Sequence, residues 1–169
     1  MTASTDLLVD AFGRVREAVE DVVDGLDVDE LGTRPADHAN SIGWLVWHLT
    51  RIQDDHLAGA ADAEQIWTSD GWYERFGLPF TADDTGYGHA RKDVAKVSGL
   101  TAELLTGYHG AVHANTVQYL AGITDKDLKR IVDRSWSPPV TLGIRLISVI
   151  TDTLQHSGQA AYVRGLLGR

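Results

Sequence analysis

The chain has 169 residues, of which 24 are acidic and 15 basic, giving a formal net charge of −9 at pH 7; 43% are hydrophobic and 23% charged. These proportions argue against disorder and fit one cored domain spanning 1–169. The acidic balance repels phosphate backbones and disfavours nucleic acid as a partner, and the lack of cysteine excludes a disulfide scaffold, a thiolate metal site and a cysteine nucleophile.

Four segments carry helical periodicity. The first runs from about Thr5 to Asp24, with Leu8, Phe12, Val15, Val19, Val22 and Val23 on one side, Ser4 or Thr5 as cap and Gly25 as stop. The second runs from Asn40 or Ser41 to Gly59. Between it and the third lies a long aromatic-rich excursion holding Trp67, Trp72, Tyr73, Phe76, Phe80 and Tyr87. Structureless loops of that length are uncommon, so a short helix near Asp83–Val97 and an aromatic flap packed on the bundle are expected. The third helix spans Thr101 to Ala121 and ends near Gly122. Asp125 to Lys129 reads as one helical turn and Ile131 to Trp136 as extended. The fourth helix starts after Pro138-Pro139 with Thr141 as N-cap and continues to Leu167. The fold class is all-α, a four-helix bundle. No apolar run is long enough to span a membrane, and residues 1–10 lack a basic stretch leading into an apolar core, so the cytoplasm is the expected location.

Helical angles place the titratable groups. On the second helix, with Trp44 at zero, Asp55 falls near about 20°, His48 about 40°, Ile52 about 80° and His56 about 120°, so His48 points inward. On the fourth, with Leu142 at zero, Asp152 falls near about 280° and His156 about 320°, within the stripe of Val149, Val163 and Leu167. A carboxylate on an apolar face is costly unless paired or metal-bound. The i, i+4 spacing of Asp152 and His156 suits one cation, and His48 from a facing helix completes a His–Asp–His set with positions left open. Against this stands a simpler arrangement: His48 bonded to a backbone carbonyl, and Asp152 and His156 pairing with each other.

A rival i, i+4 pair sits on the third helix. Measured from Leu104, His109 falls near about 140° and His113 about 180°, away from the cluster of Tyr108, Val112, Asn115 and Tyr119, and both are expected to face solvent. His38 and His89 lie in loops without patterned partners. Arg51, Arg145 and Arg164 lie within two turns of the proposed ligands, where one could hold an anionic group, although a surface or ion-paired role suits each. Ser148 and Ser157 lie near the same residues and are expected to be inert.

Three segments carry a resemblance: NSIGWLVWHLTRIQDDHL (40–57), EQIWTSDGWYERFGLP (64–79) and ISVITDTLQHSGQAAYVRGLL (147–167). They resemble the DinB-like superfamily, and within it an actinobacterial branch related to the metal-binding domain of mycothiol-dependent maleylpyruvate isomerase. The resemblance implies an up-down-down-up bundle, one metal ligand on the second helix and two on the last, matching His48, Asp152 and His156. It implies a divalent metal, usually zinc and sometimes nickel, that binds a small thiol, mycothiol in this branch. The thiolate attacks a small electrophile, as in an S-transferase or isomerase-like enzyme, and members often form homodimers. With Trp67–Phe80 as a flap, the electrophile is expected beneath it. The same residues also fit a metal-dependent hydrolase, more remotely a ferrous oxygenase, or a non-enzymatic DinB-like binding or stress protein with a vestigial site.

Overall fold

In the computed structural model, which describes residues 2–169, eight α-helices and one short hairpin follow in chain order: α1 (Ala3–Val23), α2 (Val28–Gly32), α3 (Ile42–Ala61), α4 (Ile66–Ser69), α5 (Trp72–Phe76), α6 (Arg91–Val94), α7 (Ala102–Ala121), β1 (Ile131–Asp133), β2 (Val140–Thr141) and α8 (Leu142–Leu166). The four long helices are those the periodicity predicts, and a single 3-10 turn covers Asp127–Lys129. Side-chain caps set their starts: the Ser41 hydroxyl accepts from the Trp44 N–H, Thr101 from Leu104 and Thr141 from Ile144, each satisfying one of the unpaired amides of a first turn. The first helix begins earlier than its sequence suggests. Thr2, not Ser4 or Thr5, is the cap, and Thr5 returns the bond to the Thr2 amide as a capping box.

The contacts fix how the long helices lie. Thr50 and Gln53 of α3 meet His109 and Thr116 of α7 in the same order, so these two run parallel. His48 faces His156 while His56 faces Arg145, so α3 and α8 run antiparallel. Arg164 near the end of α8 reaches the Asp21 carbonyl near the end of α1, and Leu8 of α1 lies beside Ile147 and Ile150 near the start of α8. One core gathers Val15, Val19, Trp44, Trp47, Leu105, Tyr108 and Val112, and a second gathers Phe12, Leu57, Leu142, Leu146 and Val149. Burying an aliphatic side chain of this size contributes roughly 1.5–3 kcal/mol before entropy is counted.

The excursion 62–101 differs from expectation in one respect. The short helix expected near Asp83–Val97 reduces to the four residues of α6, and α4 and α5 also form within the aromatic stretch. Trp67, Phe76, Leu78, Val94, Val97 and Leu100 are buried in the main core, whereas Tyr87 projects into solvent. The segment is thus a fixed wall over α3 and α7. Gly107 makes that contact possible, because a Cβ there would stand 2.9 Å from the Trp72 ring. No electrophile can lodge beneath Trp67: its ring packs on Tyr108 and Phe76 and lies under the Arg51 guanidinium. Among the described residues, no helix is long and apolar enough to cross a membrane.

Candidate metal centre

The antiparallel contact of α3 with α8 brings His48, Asp152 and His156 together. One potential ligand atom from each lies within 4.8 Å of the other two. His156 Nε2 stands 3.7 Å from Asp152 Oδ1, and the two imidazoles meet edge to face with centroids 4.8 Å apart. Zinc bonds of about 2.0–2.2 Å require donors roughly 3.3–3.6 Å apart, so side-chain adjustments of about 1 Å close the set around an ion.

The outer nitrogens of both rings are already engaged. His48 Nδ1 lies 2.6 Å from the Thr85 carbonyl oxygen, which can only accept, so Nδ1 carries the hydrogen and Nε2 keeps its lone pair. His156 Nδ1 donates in the same way to Gln159 Oε1 at 2.8 Å. Ligating histidines are characteristically held by such bonds. The backbone-bonded arrangement weighed for His48 is therefore present, but it turns the other nitrogen toward Asp152 and His156. Burial pushes the His48 imidazole below its ordinary pKa, against the opposing pull of the Thr85 carbonyl and of Asp152, which favours the neutral form that binds metal. Asp152 Oδ2 is out of contact with solvent and has no hydrogen-bond partner. A buried carboxylate oxygen of this kind is satisfied by a cation. The residues present fit a divalent ion with open positions on the side where Asp152 and His156 reach solvent.

The loop carrying Thr85 is built to hold His48. Trp44 stacks on the His48 ring at 4.6 Å and donates its indole N–H to His89 Nδ1. The His89 Nε2–H faces both carboxylate oxygens of Asp84, and Asp84 Oδ1 also accepts the Gly86 N–H. His89, which looked unpartnered in the sequence, is thus the clip of this loop. Gly86 sits at φ +86°, and a Cβ there would meet Trp47 at 2.8 Å and His48 Nδ1 at 3.0 Å. From below, the fully buried Arg51 donates to the carbonyls of Ala82 and Asp84 and to Gln65 Oε1. Arg51 is accordingly neither a surface arginine nor an anion-binding group. Its nearest charge is Asp54 at 3.8 Å, whose carboxylate accepts from the Tyr108 hydroxyl and from the N–H groups of Ile66 and Trp67 at the start of α4. Burial raises the Asp54 pKa despite those bonds.

The other candidates fall elsewhere. Arg145 pairs with Asp133 at 2.7 Å and faces His56, and Arg164 ties α8 to α1. The hydroxyls of Ser148 and Ser157 bond carbonyls of their own helix, as expected of inert serines. His109 does not face solvent as the angles from Leu104 suggest, and His113 is half-buried. Leu104 is only half-buried, and the inward stripe of α7 is Leu105, Tyr108, Val112, Thr116 and Leu120, with His109 in its middle. His109 is 1% exposed and donates Nδ1–H to Thr50, whose own hydroxyl donates to Val46.

The sequence matches the model of the family described as Mycothiol-S-transferase over residues 7–168. No curated protein matches it. Among solved structures it is similar to a conserved protein from Enterococcus faecalis, with 34% identity, a TM-score of 0.92, and coverage of 100% of this chain and 99% of that one. With nearly its whole length under that family model, the chain belongs to the mycothiol S-transferase family.

Proposed function

We propose that the protein is a metal-dependent S-transferase that joins a small thiol of the mycothiol type to a small electrophile. The observation that carries this reading is the unpartnered, buried Oδ2 of Asp152 beside two imidazoles whose outer nitrogens are already bonded. His48, Asp152 and His156 would hold the ion, zinc by preference for this donor set and nickel as a substitute. When bound, a divalent cation lowers a thiol's pKa and holds the thiolate at an open position.

The chain's own residues do the rest. The Thr85 carbonyl and Gln159 fix which nitrogen of each imidazole faces the site, and Trp44 walls off one side of His48. The thiol proton passes to solvent at the side where Asp152 and His156 are partly exposed. The sulfur then bonds to the electrophilic carbon, and the displaced group leaves with its bonding pair. Since Trp67 and Phe76 are buried in the core, the electrophile approaches along the α3–α8 groove from the solvent side. We place the protein in the cytoplasm, where small thiols stay reduced. We assign the contact of a homodimer to the apolar groove between α1 and α8, where Leu7 and Ile147 are exposed.

The test is turnover of mycothiol with generic small electrophiles. Conjugation that needs zinc or nickel and disappears in His48→Ala/His156→Ala supports the reading. Rates at the uncatalysed background across several acceptors, in a preparation that holds metal, would sink it.

A further inference from the structure

Three polar atoms lie without a hydrogen-bond partner and out of contact with solvent where α7 packs on α1 and α3: His109 Nε2, His113 Nε2 and Gln53 Oε1. Buried polar groups are otherwise almost always paired. The donors along this seam are already spent. Thr50 gives its hydroxyl hydrogen to the Val46 carbonyl, and Thr116 gives its own to Val112. The Gln53 amide donates to Thr116, one turn beyond His113.

That pattern fixes the state of His109. Thr50 Oγ1 is left only to accept, so the His109 hydrogen sits on Nδ1 and Nε2 presents a bare lone pair. The side chain is 1% exposed. His113 follows four residues later, so it lies on the same face with its Cβ about 6 Å away. Although half-buried, it too turns Nε2 to the interior.

A proton does not fill this gap. Burial, then His113 and Arg16, holds the His109 pKa at about 3. Burial and Arg16 also lower that of His113, against the pull of Glu20. Arg16 and Glu20 are the charged groups of α1 on this side, and they pair with each other at 2.8 Å, which leaves no net charge facing the histidines.

We infer that His109 and His113 form a second metal site, distinct from the one between α3 and α8, and that its ion is copper(I). Two imidazoles one helical turn apart are a chelating pair for a single cation. Zinc needs four donors, and no third protein ligand joins this pair: among the described residues the one group of three or more is His48, Asp152 and His156. Imidazole suits copper, and monovalent copper, a filled-shell ion, is satisfied by two or three neutral nitrogen donors. It also brings one charge rather than two into a seam walled by Val15, Val19 and Val112, which lowers the cost of burial. A further position opens where His113 reaches solvent. This assignment stands independently of the transferase reading.

The full chain is first loaded with zinc, which fills the three-residue centre. It is then titrated without oxygen against copper(I) held by bicinchoninate, whose colour reports the copper it gives up. Copper and zinc are counted by elemental analysis, the copper ligands are read by X-ray absorption, and circular dichroism and melting temperature report folding of every sample. The variants are His113→Gln, whose half-buried side chain leaves the core packed, His109→Gln, and His48→Ala/His156→Ala. The expected result is one copper per wild-type chain, bound through two imidazoles, with zinc retained and the melting temperature raised. Copper transfer falls to background in both single variants and stays at the wild-type level in His48→Ala/His156→Ala. A folded, zinc-loaded chain that takes no copper from the chelator would overturn the inference. So would copper that displaces zinc one for one, copper lost in His48→Ala/His156→Ala, or wild-type copper binding in folded His113→Gln.

Discussion

The Nδ1 of His48 lies 2.6 Å from the carbonyl oxygen of Thr85, 37 residues along the chain. This one bond couples the candidate metal centre to the excursion between α3 and α7. The loop is held by Asp84, His89, Gly86 and Arg51, so the orientation of His48 depends on residues that do not face the ion.

Gly86→Ala tests that coupling. The new methyl would stand 2.8 Å from the buried Trp47 ring at a backbone φ of +86°. The loop must move, and the Thr85 carbonyl with it. Loss of an outer-shell partner of a ligating histidine characteristically costs about 10–100-fold in metal affinity, and strain of this kind about 1–3 kcal/mol of stability. Competition titration with a zinc chelator and a urea melt measure the two separately. Wild-type zinc affinity in the variant would show that the loop does not orient His48.

Arg51 is expected to matter for stability more than for chemistry. It is fully buried, its donors satisfy two loop carbonyls, and its removal strands the Asp54 carboxylate. Breaking a buried charge pair from one side costs about 3–5 kcal/mol. Arg51→Met should fall in that range by urea unfolding. Arg51→Lys should recover only part of it, because an ammonium cannot reproduce the planar fork.

His109 gives a pH signature. Burial, then His113 and Arg16, lowers its pKa to about 3, from 6.5 in the unfolded chain. The folded value is depressed, so below about pH 6.5 the unfolded chain takes up the proton first. Its contribution to stability is therefore complete above pH 6.5 and is lost as pH falls toward 3, at up to about 1.4 kcal/mol per pH unit. Unfolding free energies of wild type and His109→Gln across this window should diverge in slope by that amount. His48 changes stability in the same direction but is common to both proteins. Parallel profiles would mean that His109 is protonated in the folded state.

Metal should stabilise the native chain. A ligand that binds only the folded state at about 100 times its Kd adds about 2.7 kcal/mol. Thermal melts with zinc should rise for wild type and stay unchanged for His48→Ala/His156→Ala.

Much of this architecture is legible in the residues themselves. The caps at Ser41 and Thr141 and the apolar spacing of the four long helices need only local chemistry. The inward angles of His48, Asp152 and His156 follow from the same spacing. What the sequence hides depends on segments distant in the chain. Residues 42–54 are buried on every side of α3, because the 62–101 excursion covers the face that a bundle alone would leave wet. Arg51 therefore reads as a surface or ion-paired charge until that wall is in place. His89 and Asp84 carry no periodicity, and only the fold shows that they clip His48. His109 was misplaced for a simpler reason. Leu104 is a poor origin for the stripe, and taking Leu105 puts His109 at about 40°, within it.

The most direct test is the metal content of untagged protein by elemental analysis. It compares wild type with His48→Ala/His156→Ala and His109→Gln/His113→Gln. Close to one zinc or nickel per wild-type chain is expected, lost in the first variant and kept in the second. Wild type that takes up neither metal after incubation with both, or equal loss in the two variants, would contradict this expectation.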